Sequence, residues 1–148
     1  MLAFGQPVPG LTYKDRPATF GIAENAVGQI ALVRVSKPGQ PPYFDLPGGA
    51  VDAGETEPQA VVREFGEETG LVIAVDQPVV AVSQLFLKSD GAPVRNFGGI
   101  HQVRVLHENA VLKVEDDHEL VWLDPRDAVV ALRHDAHAWA VAAWMRRG

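Results

Sequence analysis

Gly49-Ala50-Val51-Asp52-Ala53-Gly54-Glu55-Thr56-Glu57-Pro58-Gln59-Ala60-Val61-Val62-Arg63-Glu64-Phe65-Gly66-Glu67-Glu68-Thr69-Gly70-Leu71 is the stretch on which the fold turns. Thr56 and Gln59 have the spacing of a capping box, in which two side chains satisfy each other's orphan amides at a helix start. Pro58 falls in the first turn, where the amide it lacks has no helical partner. Gly70 suits a left-handed C-terminal cap. Together these signals predict a helix over Glu57–Thr69. At about 100° per residue, Glu64, Glu67 and Glu68 lie within roughly 100° of one another, with Val61 and Phe65 alongside. Such like-charge pairs cost roughly 0.2–0.5 kcal/mol each, and Arg63 is the only base nearby. One reading is a solvated charged face. The other is a carboxylate site for a hard divalent cation, faced by the glycine-rich loop Pro47–Glu55, whose backbone can come close to a metal or phosphate.

Charge is concentrated in the same place. Residues 45–70 hold seven acids and one base, while the full chain of 148 residues has 13 Lys+Arg against 19 Asp+Glu, a net charge of −6. Outside the window acids and bases balance, so no basic face for polymeric nucleic acid is expected. With 47% hydrophobic and 22% charged residues, the chain can bury a core as one domain over 1–148. Absence of cysteine excludes disulfides, thiolate zinc sites and thiol nucleophiles. Met1–Pro7 lacks the basic and apolar regions of a signal peptide, and no run approaches the ~20 apolar residues of a membrane span. A cytoplasmic protein that does not engage membranes is expected.

Outward from the helix, Thr19–Ala23, Ile30–Val35, Leu71–Val75, Val79–Leu87, Phe97–Leu106 and Leu120–Leu123 read as strands, with Tyr43–Leu46 a short extended piece. Lys37–Pro42 and Pro47-Gly48-Gly49 break the chain, and Ser89-Asp90-Gly91 signals a hairpin. Residues 1–15, with Pro7, Pro9 and Gly10, read as an irregular lead-in. A helix starts at Asp124-Pro125 and runs to about Leu132, and a last one covers His137–Arg147. Strands flanked by helices imply an α/β class, a mixed β-sheet sandwiched between helices in α/β/α layers.

The quoted stretch resembles the Nudix box, G-x5-E-x7-R-E-U-x-E-E-x-G-U, where U is bulky and apolar. Gly49, Glu55, Arg63, Glu64, Phe65, Glu67, Glu68, Gly70 and Leu71 fill every fixed position. At average residue frequencies a chance match is on the order of 10⁻⁹ per starting position. The resemblance implies the Nudix fold and a hydrolase of nucleoside diphosphate derivatives. It implies that Glu64, Glu67 and Glu68 ligate Mg²⁺ or Mn²⁺, with the Gly48 carbonyl as a further ligand. It gives Arg63 and Glu55 supporting roles, with Arg63 orienting the catalytic set and Gly49 part of the loop. Glu64 is one candidate for the general base. Glu115, Asp116, Asp117 and Glu119 form a second acidic cluster, the candidate source of a fourth ligand or of the base, or else an acidic turn in solvent.

Other polar and aromatic residues carry weaker signals. Arg34 lies on a strand leading toward the box, either as a phosphate contact or as a surface arginine. Phe86, like Phe44, Phe97 and Trp122, either stacks on a base or packs in the core. His134 and His137 read as the solvent-facing start of a helix rather than a zinc pair, and His101, His107 and His118 have no evident partner. ADP-ribose hydrolases of this family carry a Pro about fifteen residues past the box, where this chain has Phe86. Dinucleoside polyphosphate hydrolases carry a Tyr slightly further on, where Lys88 and Ser89 stand, and the upstream motif of the coenzyme A type is missing. By elimination, the expected reaction converts a nucleoside triphosphate, including an oxidised one, to a monophosphate and pyrophosphate. Ala50, where the MutT-like enzymes often carry Lys, departs from the oxidised-guanine type. ADP-ribose or a nucleotide sugar is the alternative substrate, and a non-catalytic binding or regulatory module the alternative class. The assembly expected is a monomer or homodimer.

Overall fold

A computed structural model describes residues 1–147. The chain forms β1 (Leu2–Phe4), β2 (Lys14–Ala23), β3 (Ile30–Val35), β4 (Tyr43–Asp45), β5 (Gly48–Ala50), α1 (Glu57–Thr69), β6 (Leu71–Leu87), β7 (Pro93–Glu108), a 3-10 turn (Ala110–Leu112), β8 (His118–Leu123), α2 (Pro125–Ala131) and α3 (Asp135–Met145). The strands make a five-stranded sheet in the order β1-β6-β7-β2-β5 and a three-stranded sheet in the order β4-β3-β8. β1 pairs with β6 and β2 with β7 in parallel, and the other pairs are antiparallel. Among the described residues no helix is long and apolar enough to cross a membrane.

Alternation along the strands separates two cores. Ile22, Ile30 and Leu32 face one way, into a cluster with Leu46, Ile100, Ala136, Ala140 and Val141 beneath α2 and α3. Ala23 and Ala31 face the other way, onto Val61 and Phe65 of α1, with Leu71, Ile73 and Val103. Because both faces are covered, β3 carries five buried residues in six and no polar face. This is the α/β/α arrangement, and it fixes α1 against the strands by its apolar stripe, leaving the glutamate side toward β5.

Several boundaries differ from the sequence expectation. The lead-in is not wholly irregular: Leu2–Phe4 pairs with Val82–Gln84, and Phe4 packs against the larger core. Pro47-Gly48-Gly49 does not simply break the chain, since Gly48–Ala50 adds an edge strand to β2. At Gly48 (φ 148°) an added Cβ would lie 2.2 Å from the Thr19 carbonyl oxygen, so only glycine permits that approach. The two strands expected over 71–87 are one continuous strand, because register shifts at Val72/Ile73, Val75/Gln77 and Pro78/Val80 absorb Pro78 as bulges. The last helix begins two residues early, at Asp135, and ends at Met145.

His134 and His137 are the clearest correction. Instead of facing solvent they are 4% and 2% exposed, with ring centroids 5.1 Å apart. Phe20 and Phe86 cover them, and the Leu46 amide donates to His137 Nδ1 at 3.2 Å.

Candidate functional site

The capping box forms as expected, with the Gln59 amide donating to the Thr56 hydroxyl and the Thr56 amide donating to Gln59. One residue on, the Glu57 carboxylate leaves the helix and accepts from the Gly99 amide on β7 at 3.0 Å. Helix α1 is thereby held at its first turn, and its second turn is fixed by Arg63. The Arg63 guanidinium donates to both oxygens of Glu55 at 2.8 and 2.9 Å, to the Ala50 carbonyl at 3.0 Å and to Glu64 at 3.0 Å. Glu67 and Asp52 lie 3.3 and 3.4 Å away. These hydrogen bonds to Arg63 hold the Glu55 carboxyl down at about 2. Arg63 thus ties the loop to the helix, the geometry that a supporting role requires.

Glu68 is buried and Glu64 partly so. Burial pushes Glu64 up to about 7, the nearby Glu68 adds to this, and Arg63 opposes it. Its carboxylate packs beneath Gly49, where an added Cβ would come within 3.0 Å of it. Glu68 is 6% exposed. It accepts from the Gly48 amide at 3.0 Å and meets His118 Nε2 at 3.2 Å. Burial pushes Glu68 up, while His118 pulls it back. Burial alone would pull His118 down, but Glu68 and Asp117 overcome it and raise it to about 9. Asp117 lies 2.7 Å from the other ring nitrogen of His118.

His118 is a site residue that the sequence reading left without a partner. It sits inside the second acidic cluster, and the turn before β8 delivers it to α1. Among the described residues, ligand atoms of Glu115, Asp117 and His118 lie within 4.8 Å of one another, but the Lys37 ammonium already contacts Asp117. Asp116 is exposed, and Glu119 faces Arg34 at 3.9 Å. Arg34 is not among the residues that line the cleft, and its ion-pair partner is Glu119.

A cleft of about 230 Å³ opens over Gly48, Gly49 and Glu68. Arg16, Lys37, Lys88 and Arg133 also line it, together with Phe20, Tyr43 and Phe86. Arg16 is partly buried, and its side-chain partner is the neutral Asn96 amide, at 3.0 Å. Burial lowers its pKa, while Glu64 and Glu68 oppose that. Arg133 is fixed quite differently. It donates to both oxygens of Asp45 at 3.2 and 2.7 Å and stacks 3.7 Å above the Tyr43 ring. Neither arginine announced itself in the sequence, because Arg16 precedes the stretch read as a strand and Arg133 lies in a helix connection.

The donor set suits a hard divalent cation. Glu64, Glu67 and Glu68 offer only oxygens, and Glu64 and Glu68 are held in a protonation balance that a cation would shift toward the carboxylates. Without one, Arg63 holds Glu64 and Glu67, and His118 holds Glu68.

Comparison with known proteins agrees with this construction. Residues 14–145 match the family model described as NUDIX domain. A 53-residue segment is 47% identical to an 8-oxo-dGTP diphosphatase of Haemophilus influenzae, covering 35% of this chain and 39% of that protein. A 29-residue segment is 66% identical to an ADP-ribose pyrophosphatase of Methanocaldococcus jannaschii, covering 20% of this chain and 17% of that protein. The matches thus span less than half the length of these curated relatives. A solved NUDIX hydrolase from Nitrosomonas europaea superposes with a TM-score of 0.72 over 89% of each chain at 18% identity, a likeness of fold alone.

Proposed function

The chain belongs to the NUDIX domain family, and from that membership we propose that it hydrolyses the diphosphate linkage of a small nucleoside diphosphate derivative. One observation carries the reading: the buried Glu68 lines a cleft that Arg16, Lys37 and Lys88 also line, and the partly buried Glu64 packs beneath Gly49 of the same cleft. The acidic groups attract a divalent cation, and the basic groups attract phosphate. Each set alone repels half of a metal–diphosphate complex, and together they fit it.

Glu64, Glu67 and Glu68, with the Gly48 carbonyl, would hold Mg²⁺ or Mn²⁺. When bound, such ions supply neutralisation of the phosphate oxygens and activation of water. The chain's own residues do the rest. Arg63 keeps the loop and the glutamates in register through Glu55 and Ala50. Arg16, half-desolvated and bonded to a neutral amide, is ready to donate to phosphate oxygens. Glu64, beside Gly49 at the cleft floor, is the candidate general base that accepts the proton from the attacking water. Lys37 and His118 balance Asp117 and Glu68 at the cleft edge.

The preferred substrate is a nucleoside triphosphate, oxidised forms included, giving a monophosphate and pyrophosphate. The relatives named for 8-oxo-dGTP and for ADP-ribose support this reading and the ADP-ribose or nucleotide-sugar alternative respectively. The working setting is a cytoplasmic nucleotide pool, with the protein as monomer or homodimer. The deciding experiment is a panel of nucleoside triphosphates, 8-oxo-dGTP, ADP-ribose and nucleotide sugars assayed with Mg²⁺ or Mn²⁺. Pyrophosphate release from a triphosphate is the expected result. AMP plus a sugar phosphate from ADP-ribose would favour the alternative, and no turnover of any diphosphate compound would overturn the enzyme reading.

A further inference from the structure

The cleft lining falls into two chemically different groups. Arg16 and Glu68 carry charge, beside the backbone of Gly48 and Gly49. Tyr43, Phe86, Arg133 and His134 form an aromatic group in which Arg133 lies over Tyr43 and near Phe86, and Phe86 meets His134. Arg133 is already neutralised by two hydrogen bonds to Asp45, so it offers a phosphate little.

His134 is the unusual member. It is 4% exposed, yet it lines the cleft. It stands at the N-cap of α3 but makes no side-chain capping bond. Gln84 of β6 takes that task, accepting from the Ala136 amide at 2.9 Å. The ring meets Phe86 edge-on at 4.8 Å, and neither ring nitrogen has a hydrogen-bond partner among the described residues. Among the described residues no fully buried side-chain nitrogen or oxygen lacks a partner, so the ring nitrogens of His134 open onto the cleft that it lines. Such nitrogens are served by water in the free protein, and a ligand that enters must replace that water with hydrogen bonds of its own.

The chemistry of that ligand follows from the ring. Burial, His137 and Arg133 all oppose protonation of His134. A neutral imidazole presents one donor and one acceptor. A phosphate offers acceptors alone, whereas the edge of a nucleobase offers both kinds, and its flat faces suit Phe86 and Tyr43. We propose that His134 determines base specificity: its ring nitrogens hydrogen-bond the edge of the substrate's nucleobase, seated against Tyr43 and Phe86 in the cleft. The proposal deepens the functional reading above and rests on it for the identity of the substrate class.

The test separates the two. AMP, GMP, CMP and UMP are titrated calorimetrically into the wild type, His134→Phe and His134→Gln, and kcat/KM is measured on the matching triphosphates. Phe keeps the ring volume without the nitrogens, and Gln restores a donor and an acceptor. The wild type should prefer one base. His134→Phe should lose about tenfold in affinity for it, the worth of one hydrogen bond, and flatten the preference, while His134→Gln recovers part of it. An undiminished preference in folded His134→Phe overturns the proposal, as does a wild type that binds every base alike. Should the Phe variant fail to fold, the ring ¹⁵N shifts of wild-type His134 decide, because shifts unmoved by saturating monophosphate overturn it. Base-selective binding that depends on His134, without turnover of any triphosphate, leaves the subsite standing and overturns the triphosphate preference. Absence of both binding and turnover overturns both.

Discussion

Arg63 and Glu67 sit one helical turn apart and have opposite sensitivities. Arg63 is engaged with four acids and one carbonyl, so its planar fork is used almost completely. Glu67 has a half-exposed carboxylate and only a long contact to Arg63. Glu67→Gln should therefore leave the fold intact, with a thermal midpoint close to that of the wild type. It should lower kcat on the preferred substrate by on the order of 10²-fold or more. Steady-state kinetics beside a melting curve checks both halves, and unchanged kcat would remove Glu67 from the catalytic set. The box glutamates were legible because they share one helix face and local spacing fixes them. His118 was not, because its partner Glu68 comes from a distant part of the chain, and no spacing rule links the two. His134 was misread as solvent-facing because its cover, Phe86, comes from another strand.

At the scale of elements, α1 is the part that sequence determines most completely. Its capping box, first-turn Pro58 and Gly70 cap are all present, with Gly70 at φ 76°. The cap should carry measurable stability: Thr56→Ala is expected to cost about 1 kcal/mol, a fall in thermal midpoint of about 2–4 °C for a chain of this size. Differential scanning calorimetry reads it directly. Elements that depend on tertiary pairing were less legible. β1 is only three residues long and exists because β6 offers it an edge. β5 is two glycines and an alanine, which no propensity favours as a strand. It forms because β2 lies close enough to pair. The continuity of β6 through Asp76, Gln77 and Pro78 likewise belongs to the bulges it makes against β7, which a break in the hydrophobic pattern resembles.

Across the whole molecule the buried histidine pair sets an acid limit. Burial, first of all, holds His137 at about 4 and His134 at about 2, below the ordinary value of about 6.5. Below that value the unfolded chain takes up protons that the folded chain refuses. Stability is therefore fully present above pH ~6.5 and lost as pH falls, by roughly 1 kcal/mol per pH unit for each histidine. His137 stops contributing further loss near about 4. His118, raised to about 9, and Glu64, raised to about 7, act in the opposite direction, their contributions growing as pH falls through this window. The histidine pair is therefore read as a difference: between pH 7 and pH 5 the urea midpoint of the double variant His134→Phe/His137→Asn should fall less, or rise more, than that of the wild type. Midpoints that change identically in the two proteins would contradict the buried, neutral assignment.

The cleft draws on both sheets at once. Arg16, Gly48 and Phe86 come from the five-stranded sheet, Tyr43 and Asp45 from the three-stranded one, His118 from the start of its far strand, and His134 from the cap of α3. Any fluctuation that parts the two sheets also dismantles the cleft. The site therefore has no existence in a partly opened chain, and a ligand bound there acts as a rivet across the seam. It slows the exchange of amide hydrogens in strands it never touches, because it binds the closed state alone.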